Sequence, residues 1–323
     1  MIKTILIGCM LACAPAVGPV AAQTFPERPV RFIVPNPPGG SNDATARALA
    51  QALSEIWAHG IVIDNRAGAG GNIGTQAAAT ATPDGYTYLL TPPGPMTINP
   101  SLHKKLPFDP QKDFVPIALL ATVPIVLIIN PKVPASNLRE LVALAKEQEG
   151  AMNFASSGVG STHHLAAVLF SKMANIRLQH VPYRGAAPAM NDLIAGHVPI
   201  LFDNLPTVIP HVQSGTARAI AVASPQRLPS LPAIPTFAEA GMADFEASSW
   251  FGLFAPSGTP ANIVAKVTAD VQKTLARPDV RKTLEDMGEQ VGALTDAAFA
   301  SFVKKEAEKW AEVVRISGAS VAE

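Results

Sequence analysis

The sequence predicts an α/β protein of two lobes with a cleft between them, built on mostly parallel sheets with helices on both faces. Three observations carry this. Apolar, β-branched runs alternate with helical patterns along the chain. Two glycine–serine stretches, "PNPPGGSND" and "SSGVGSTHH", each join a strand to a helix at matching points of two tandem βα sets. The last helices have no strands of their own to cover, so the economical arrangement returns them to the first set.

Composition narrows the function. Of 323 residues, 48% are hydrophobic and 15% charged, which excludes a disordered chain. Net charge is zero and no nucleic-acid motif is present, so no nucleic-acid partner is expected. Thirty prolines imply many rigid turns. The opening "MIKTILIGCMLACAPAVGPVAAQ" reads as a signal peptide over residues 1–22. Lys3 supplies its positive end, Thr4 to Val20 its apolar stretch, and Val20-Ala21-Ala22 a cleavage site before Gln23. A membrane anchor competes with this, but the run is short and broken by Pro15, Gly18 and Pro19. "LIGC" lies too close to the start for a lipoprotein signal, and "MLAC", ending at Cys13, is a poorer match. Both cysteines fall in this leader, so the exported chain holds no disulfide and no thiolate for metal or catalysis.

The elements follow in order. Val30–Val34 is a strand, and a helix is expected from Asp43 to Ile56. "GIVIDNR" is a second strand and "GGNIGTQAAATATPDG" a helix stopped by Pro83 and Gly85. "YTYLLTPPGP" is a third strand entering a loop. Val123–Asn130, "VPIVLIIN", is a buried strand, followed by the amphipathic helix "NLRELVALAKEQ". "MNFASSGVGSTHHLAAVLFSKMA" repeats the opening plan of strand, loop and helix. "LQHVPYRGAAPAMNDLIAGHVPILFDN" gives strand, helix and strand, and "ARAIAVASP" another strand. After "WFGLFAPSGTP" come three helical segments. The expected domains are 24–120 plus 235–323 and 121–234, with crossings near Leu120 and between Ser224 and Trp250.

A helix start leaves backbone N–H groups unpaired and carries partial positive charge, so it holds anions without a formal cation. Pro38 fixes its backbone, while Gly39 and Gly40 let a ligand approach closely. Ser41 can cap the helix and Asp43 suits its first turn. Ser157, Gly158, Gly160, Ser161 and Thr162 form the second such loop. Facing each other across a cleft, the two would hold a molecule with two anionic ends. "RAGAGGNIG", Arg66 to Gly74, is a third glycine-rich turn, either structural or functional. No GxGxxG follows the first strand and no GKS/T occurs, so no dinucleotide or nucleotide cofactor is expected.

Those two loops, with "VIDNRAGAGGNIGTQAAATATPDGYTYLL", "NPSLHKKLPFDPQKDFVPIALL", "HVPYRGAAPAMNDLIAGHVPILFDN" and "WFGLFAPSGTP", resemble the Bug family. These are the TctC-like periplasmic receptors of tripartite tricarboxylate transporters. The likeness runs through essentially the whole exported chain. It implies a Venus-flytrap fold, a periplasmic, monomeric receptor without catalysis, and capture of a small organic acid. The acid would pass to a two-subunit membrane permease. By position, the ligand loops are Pro38, Gly39 and Gly40 with Asp43 below, and Gly158 to Ser161 with Thr162 and His163. Asp203 of "FDN" ends a strand of the second domain. The family loop usually reads Pro-Phe-Pro-Pro-Gly-Gly; here Asn36 replaces the aromatic. Pro92, Pro93 and Pro95 stiffen a loop that often touches the ligand.

Among side chains, Ser157, Ser161 and Thr162 can donate to a carboxylate. His163 either faces the cleft or is a satisfied structural histidine. His163-His164 lacks metal-site spacing. Tyr183 and Arg184 either face the cleft or brace a loop, and Arg184 could pair with a ligand carboxylate or with Asp203. Trp250 and Phe251 read as core or hinge packing. An exported serine hydrolase using Ser157 or Ser161, His163 or His180, and Asp203 is the rival reading, but "SSGVGS" is no G-x-S-x-G elbow. A receptor for another importer or for a sensor would share the same fold.

Overall fold

The structure is a computed structural model and describes residues 25–245 and 247–317. The leader expected at 1–22 lies outside the described residues. The first lobe opens with β1 (Val30–Val34), α1 (Ser41–Trp57), β2 (Ile61–Asn65), α2 (Asn72–Ala79), β3 (Thr87–Thr91) and α3 (Asn99–Leu102). β2, β1 and β3 pair in parallel in that order. The helix expected from Asp43 starts at Ser41, and the expected proline loop after β3 contains a π-turn, Gly94–Ile98, running into α3.

The chain then crosses on β4 (Phe114–Ile129). The second lobe adds α4 (Leu138–Glu147), β5 (Asn153–Ser156), α5 (Thr162–Met173), β6 (Gln179–Pro182), α6 (Ala186–Ala195), β7 (Ile200–Asn204), α7 (Leu205–Gln213) and β8 (Arg218–Ala223). β9 (Ser248–Pro256), α8 (Ala261–Leu275), α9 (Pro278–Asp286), β10 (Gln290–Val291) and α10 (Asp296–Ser317) then follow.

The strand order is β2-β1-β3-β9-β4-β7-β5-β6, with β8 and β10 also on β4. Parallel pairing holds within the βα units, β1 with its neighbours and β5 with its neighbours. It is amended at the centre, where β4 and β9 are antiparallel to every partner. One strand leaves the first lobe and the other returns to it, so they must run oppositely. β4 also begins at Phe114, not at the expected Val123. Pro116 and Pro124 mimic strand breakers in the sequence. In the structure Pro116 sits at a register shift, where a missing N–H is tolerated. Pro124 is the last residue paired with β9, and pairing with β7 and β8 starts at Ile125.

Two cores result. Phe32, Leu53, Tyr88, Leu120 and Phe251 fill the first lobe, where Val267, Val271 and Leu284 of α8 and α9 join them. Phe154, Phe170, Phe202, Phe237 and Phe245 fill the second. α10 spans both: Phe299 stacks edge-on against Trp250, while Trp310 and Val313 lie in the second core. Glu306 ties this helix down. Its Oε2 accepts from the indole N–H of Trp250 and of Trp310, each at 3.1 Å, and Lys309 closes on Oε1 at 2.8 Å.

Both indoles are buried, so removing their acceptor strands two donors. Urea denaturation of Glu306→Ala is expected to show a loss of about 2–4 kcal/mol, with Glu306→Gln, which keeps an acceptor, losing less than half of that.

Candidate functional site

A cavity of about 420 Å³ lies between the lobes. On the first lobe it is reached by the start of α1. Gly40 is the N-cap and offers no side-chain cap. Among the described residues nothing accepts from the amides of Ser41 or Asn42, and both residues line the cavity. The loop before them is fixed from behind. Asp43 accepts from Gly39 N–H at 3.1 Å, Arg47 Nε at 2.9 Å and Asn65 Nδ2 at 3.0 Å. Burial opposes its charge, yet these donors outweigh burial and hold the carboxyl below its ordinary range. Gly39 itself adopts φ +86°, which a side chain would resist.

On the second lobe the start of α5 plays the matching part. Ser161 caps the helix: its Oγ accepts from His164 N–H at 3.2 Å and donates to Gly158 O at 2.7 Å. Gly160 N–H donates to His164 Nδ1 at 3.4 Å. The His164 ring stacks 4.1 Å from that of His180, which lies 4.8 Å from Phe154. Ser156 Oγ meets His180 Nε2 at 2.7 Å. The binding loop therefore rests on a stack of neutral rings. Burial, then the neighbouring His180, pushes His164 down to about 3, and burial pushes His180 to about 4.

A third segment, Ala67 to Gly71, lines the cavity as well. A Cβ on Gly70 would fall inside contact distance of the Val159 carbonyl, across the lobes. A Cβ on Gly94 would likewise crowd Gly160 O, and one on Gly185 the Pro37 ring. Asn204 Nδ2 donates to Ser41 Oγ at 2.8 Å, joining β7 to α1. The lobes are thus closed on one another around the cavity.

Of the sequence-derived candidates, Gly40, Ser157, Gly158, Ser161, Thr162, His163 and Tyr183 line the cavity. Pro38, Gly39, Asp43, Pro93, Gly160 and Asp203 do not. Pro38 and Gly39 are exposed, and Gly39 faces a neighbouring groove instead. Asp43 is consumed by its three donors. Pro93 precedes the π-turn while Pro92, Gly94 and Pro95 supply the wall. Gly160, at φ +77°, backs onto Asn99 and Leu102. Asp203 is fully buried behind His163. The Tyr183 hydroxyl donates to Asp192 Oδ2 at 2.6 Å, which turns it from the cavity. Asn36, placed in the sequence as an entrance group, lines the cavity while its Oδ1 accepts from Asn42 Nδ2 at 2.9 Å.

Sequence reasoning missed Asn204, Ser249 and His103 on the lining. The third glycine turn was visible as a motif, but no local signal marks Asn204. Phe251 is both core and wall. The lining contains no aspartate or glutamate, and its one lysine or arginine is Arg184. Arg184 is exposed and makes no ion pair with any described residue, Asp203 included. Ser161 bonds within its own loop, and the buried Ser156, not a cavity serine, meets His180. Among the described residues no cluster of three His, Cys, Asp or Glu could hold a metal, and no helix is long and apolar enough to cross a membrane.

The model of the tripartite tricarboxylate transporter family receptor matches residues 45–318. Protein BugT of Bordetella pertussis (strain Tohama I) is 38% identical over 317 residues, covering 98% of this chain and 97% of that protein. Among solved structures, Rpa4515 of R. palustris with adipate superposes at TM-score 0.89 with 34% identity, over 91% of this chain and 98% of that one. MatC from Rhodopseudomonas palustris with bound malate gives 0.86 and 33%, over 90% and 100%. The two-lobed fold is that of periplasmic binding proteins.

Two outcomes follow from this geometry. Gly70→Ala should hold the lobes apart: scattering should report a larger radius of gyration at saturating ligand, with the free protein losing about 1–2 kcal/mol because Gly70 sits at φ +63°. Acidification should weaken the fold. Above pH 6.5 both ring-stack histidines are neutral folded or unfolded; below it the unfolded chain gains protons that the folded chain refuses. Denaturation curves should show stability falling from pH 6.5 toward pH 3, with a shallower fall in His180→Phe.

Proposed function

Because the chain belongs to the tripartite tricarboxylate transporter receptor family, we propose that it captures a small carboxylic acid outside the cytoplasm and delivers it to that transporter's permease. Residues 1–22 direct export and are removed. The lobes hinge where β4 changes partners, at Val123–Ile125, beside the return crossing at Ala247–Ser249. One observation carries the ligand class: a closed interlobe cavity with unpaired helix amides, and no acidic side chain on its lining. Such amides favour an anion. An ammonium group would find no carboxylate partner, and burying an unpaired charge is costly. The ligand is therefore an acid without an amino group. Likeness to proteins solved with adipate and malate supports a dicarboxylate.

A thermal-shift panel tests this. Adipate, malate or citrate at 100 times its dissociation constant should add about 2.7 kcal/mol of stability. Glutamate and aspartate should not. A shift with a sugar or an amino acid and with no carboxylic acid of the panel would overturn the reading.

A further inference from the structure

Glu289, between α9 and β10, is 2% exposed. A Cβ on its neighbour Gly288 would crowd Leu205 and Ile209 of α7, so the acid stands beside a contact between the lobes. Against it lies Thr45 of α1, itself 1% exposed. Thr45 Oγ1 is 2.6 Å from Glu289 Oε1 and 2.9 Å from the Ser41 carbonyl oxygen, while Glu289 Oε2 meets no donor. A hydroxyl has one hydrogen, so it serves only one of these two oxygens. When it serves the carbonyl, the hydrogen in the shorter contact comes from the acid.

The surroundings favour the acid form. An ionised carboxylate would be buried with one oxygen unpaired, which is costly. Burial, only partly offset by the Thr45 hydroxyl, pushes Glu289 up to about 8, so it keeps its proton at neutral pH. The titratable and charged groups on the elements around it are Asp43, Arg47 and Glu55 of α1, Asp279, Arg281, Lys282, Glu285 and Asp286 of α9, and His211 of α7. β4 and β10 carry none. All but His211 pair among themselves or with Arg277, and His211 meets the Thr216 hydroxyl at 3.4 Å. Among the described residues no lysine or arginine pairs with Glu289.

The Ser41 carbonyl and the Asn42 N–H belong to one peptide group, and that amide is one of the two left free at the cavity. Hydrogen bonds in a chain polarise one another. We propose that Glu289 is a positioning residue for anion capture: as a neutral acid it donates to the Thr45 hydroxyl, which donates to the Ser41 carbonyl and strengthens the Asn42 amide as a donor to the ligand. Ionisation undoes this twice. The Thr45 hydrogen turns to the carboxylate, and a negative charge then stands two hydrogen bonds behind the peptide group that holds the anion. Glu289 is thus a proton switch on affinity, a role that rests on the carboxylate-receptor reading.

Calorimetry with adipate, malate and citrate from pH 7 to 9.5 tests it. All three acids are ionised throughout, so a slope belongs to the protein. Wild type should lose threefold or more in affinity across this range for whichever of them it binds at pH 7, and binding at pH 8.5 should take up protons. Glu289→Gln keeps the donor and does not ionise. It should bind within threefold of wild type at pH 7 and hold that affinity to pH 9.5. Thr45→Val, which breaks the relay, should lose threefold or more at pH 7. A smaller fall with pH in wild type overturns the inference, as does a Glu289→Gln slope equal to that of wild type, or a loss beyond threefold in Glu289→Gln at pH 7. A smaller loss in Thr45→Val overturns the part given to that hydroxyl. Wild type that binds none of the three acids at pH 7 removes the receptor reading, and this inference with it.

Discussion

Everything in this molecule hangs on β4, a 16-residue strand that belongs to both lobes at once. Up to Pro124 it pairs with β9; from Ile125 it lies between β7 and β8. Val123 and Ile125 to Ile129 are fully buried, so the strand is stiffened by packing on both sides of that change. The same arrangement aims the site. On one side the ladder leads through β9 and β3 to β1 and the start of α1; on the other it leads through β7 to β5 and the start of α5. Both helix starts therefore open into the space between the lobes, where the carboxyl ends of the parallel strands converge.

The electrostatics of that space are local. A chain of zero net charge offers no long-range field to an anion. It offers instead partial charges at helix starts, which act over the first turn. The acids near the site are dealt with one by one. Asp43 is turned from the cavity and covered by Gly39, Arg47 and Asn65. Asp203 has no such donors on Oδ2 and is placed behind a histidine. Two aspartates close to one site thus have opposite environments. One stabilises a loop as a carboxylate, and the other is pressed by burial toward holding a proton.

Much of this was legible in the sequence, and the reasons differ by element. The glycine–serine loops were readable because a helix start that keeps its amides free needs small residues in a fixed order: Gly39 for its φ, Gly40 for a cap without a side chain. The βα periodicity followed from apolar runs such as "RFIV" and "VLII". The first half of β4 was hidden, since Pro116 and Pro124 are ordinarily strand breakers, and only tertiary pairing shows that each falls where no ladder bond is needed. Contacts across the lobes were hidden for another reason. Asn204 and Ser41, or Gly70 and Val159, are far apart in sequence and carry no local pattern that links them. His163, beside Asp203, is 40 positions away in sequence and equally without a local signal.

The closed arrangement shows why such a protein responds to its ligand. Apart from α10, which packs in both cores, the direct contacts between the lobes at the rim of the cavity are small. Gly70 on Val159 and Gly94 on Gly160 are bare backbone contacts and Gly185 lies on the Pro37 ring, each gaining only dispersion. Asn204 to Ser41 is a neutral hydrogen bond, worth about 1 kcal/mol net. Against them stand the amides of Ser41 and Asn42 that, without a ligand, exchange water for nothing when the lobes close. On the reading proposed above, a carboxylate would reverse this balance, because it would supply acceptors that the closed state otherwise lacks. Closure then needs no trigger beyond the ligand's differential affinity for the two states. On that reading, the bare glycines at the rim of the cavity would keep the unliganded preference weak enough for that affinity to decide the conformation. Larger side chains at the same points would lock the lobes shut or prop them open, and in either case binding would cease to be reported by shape.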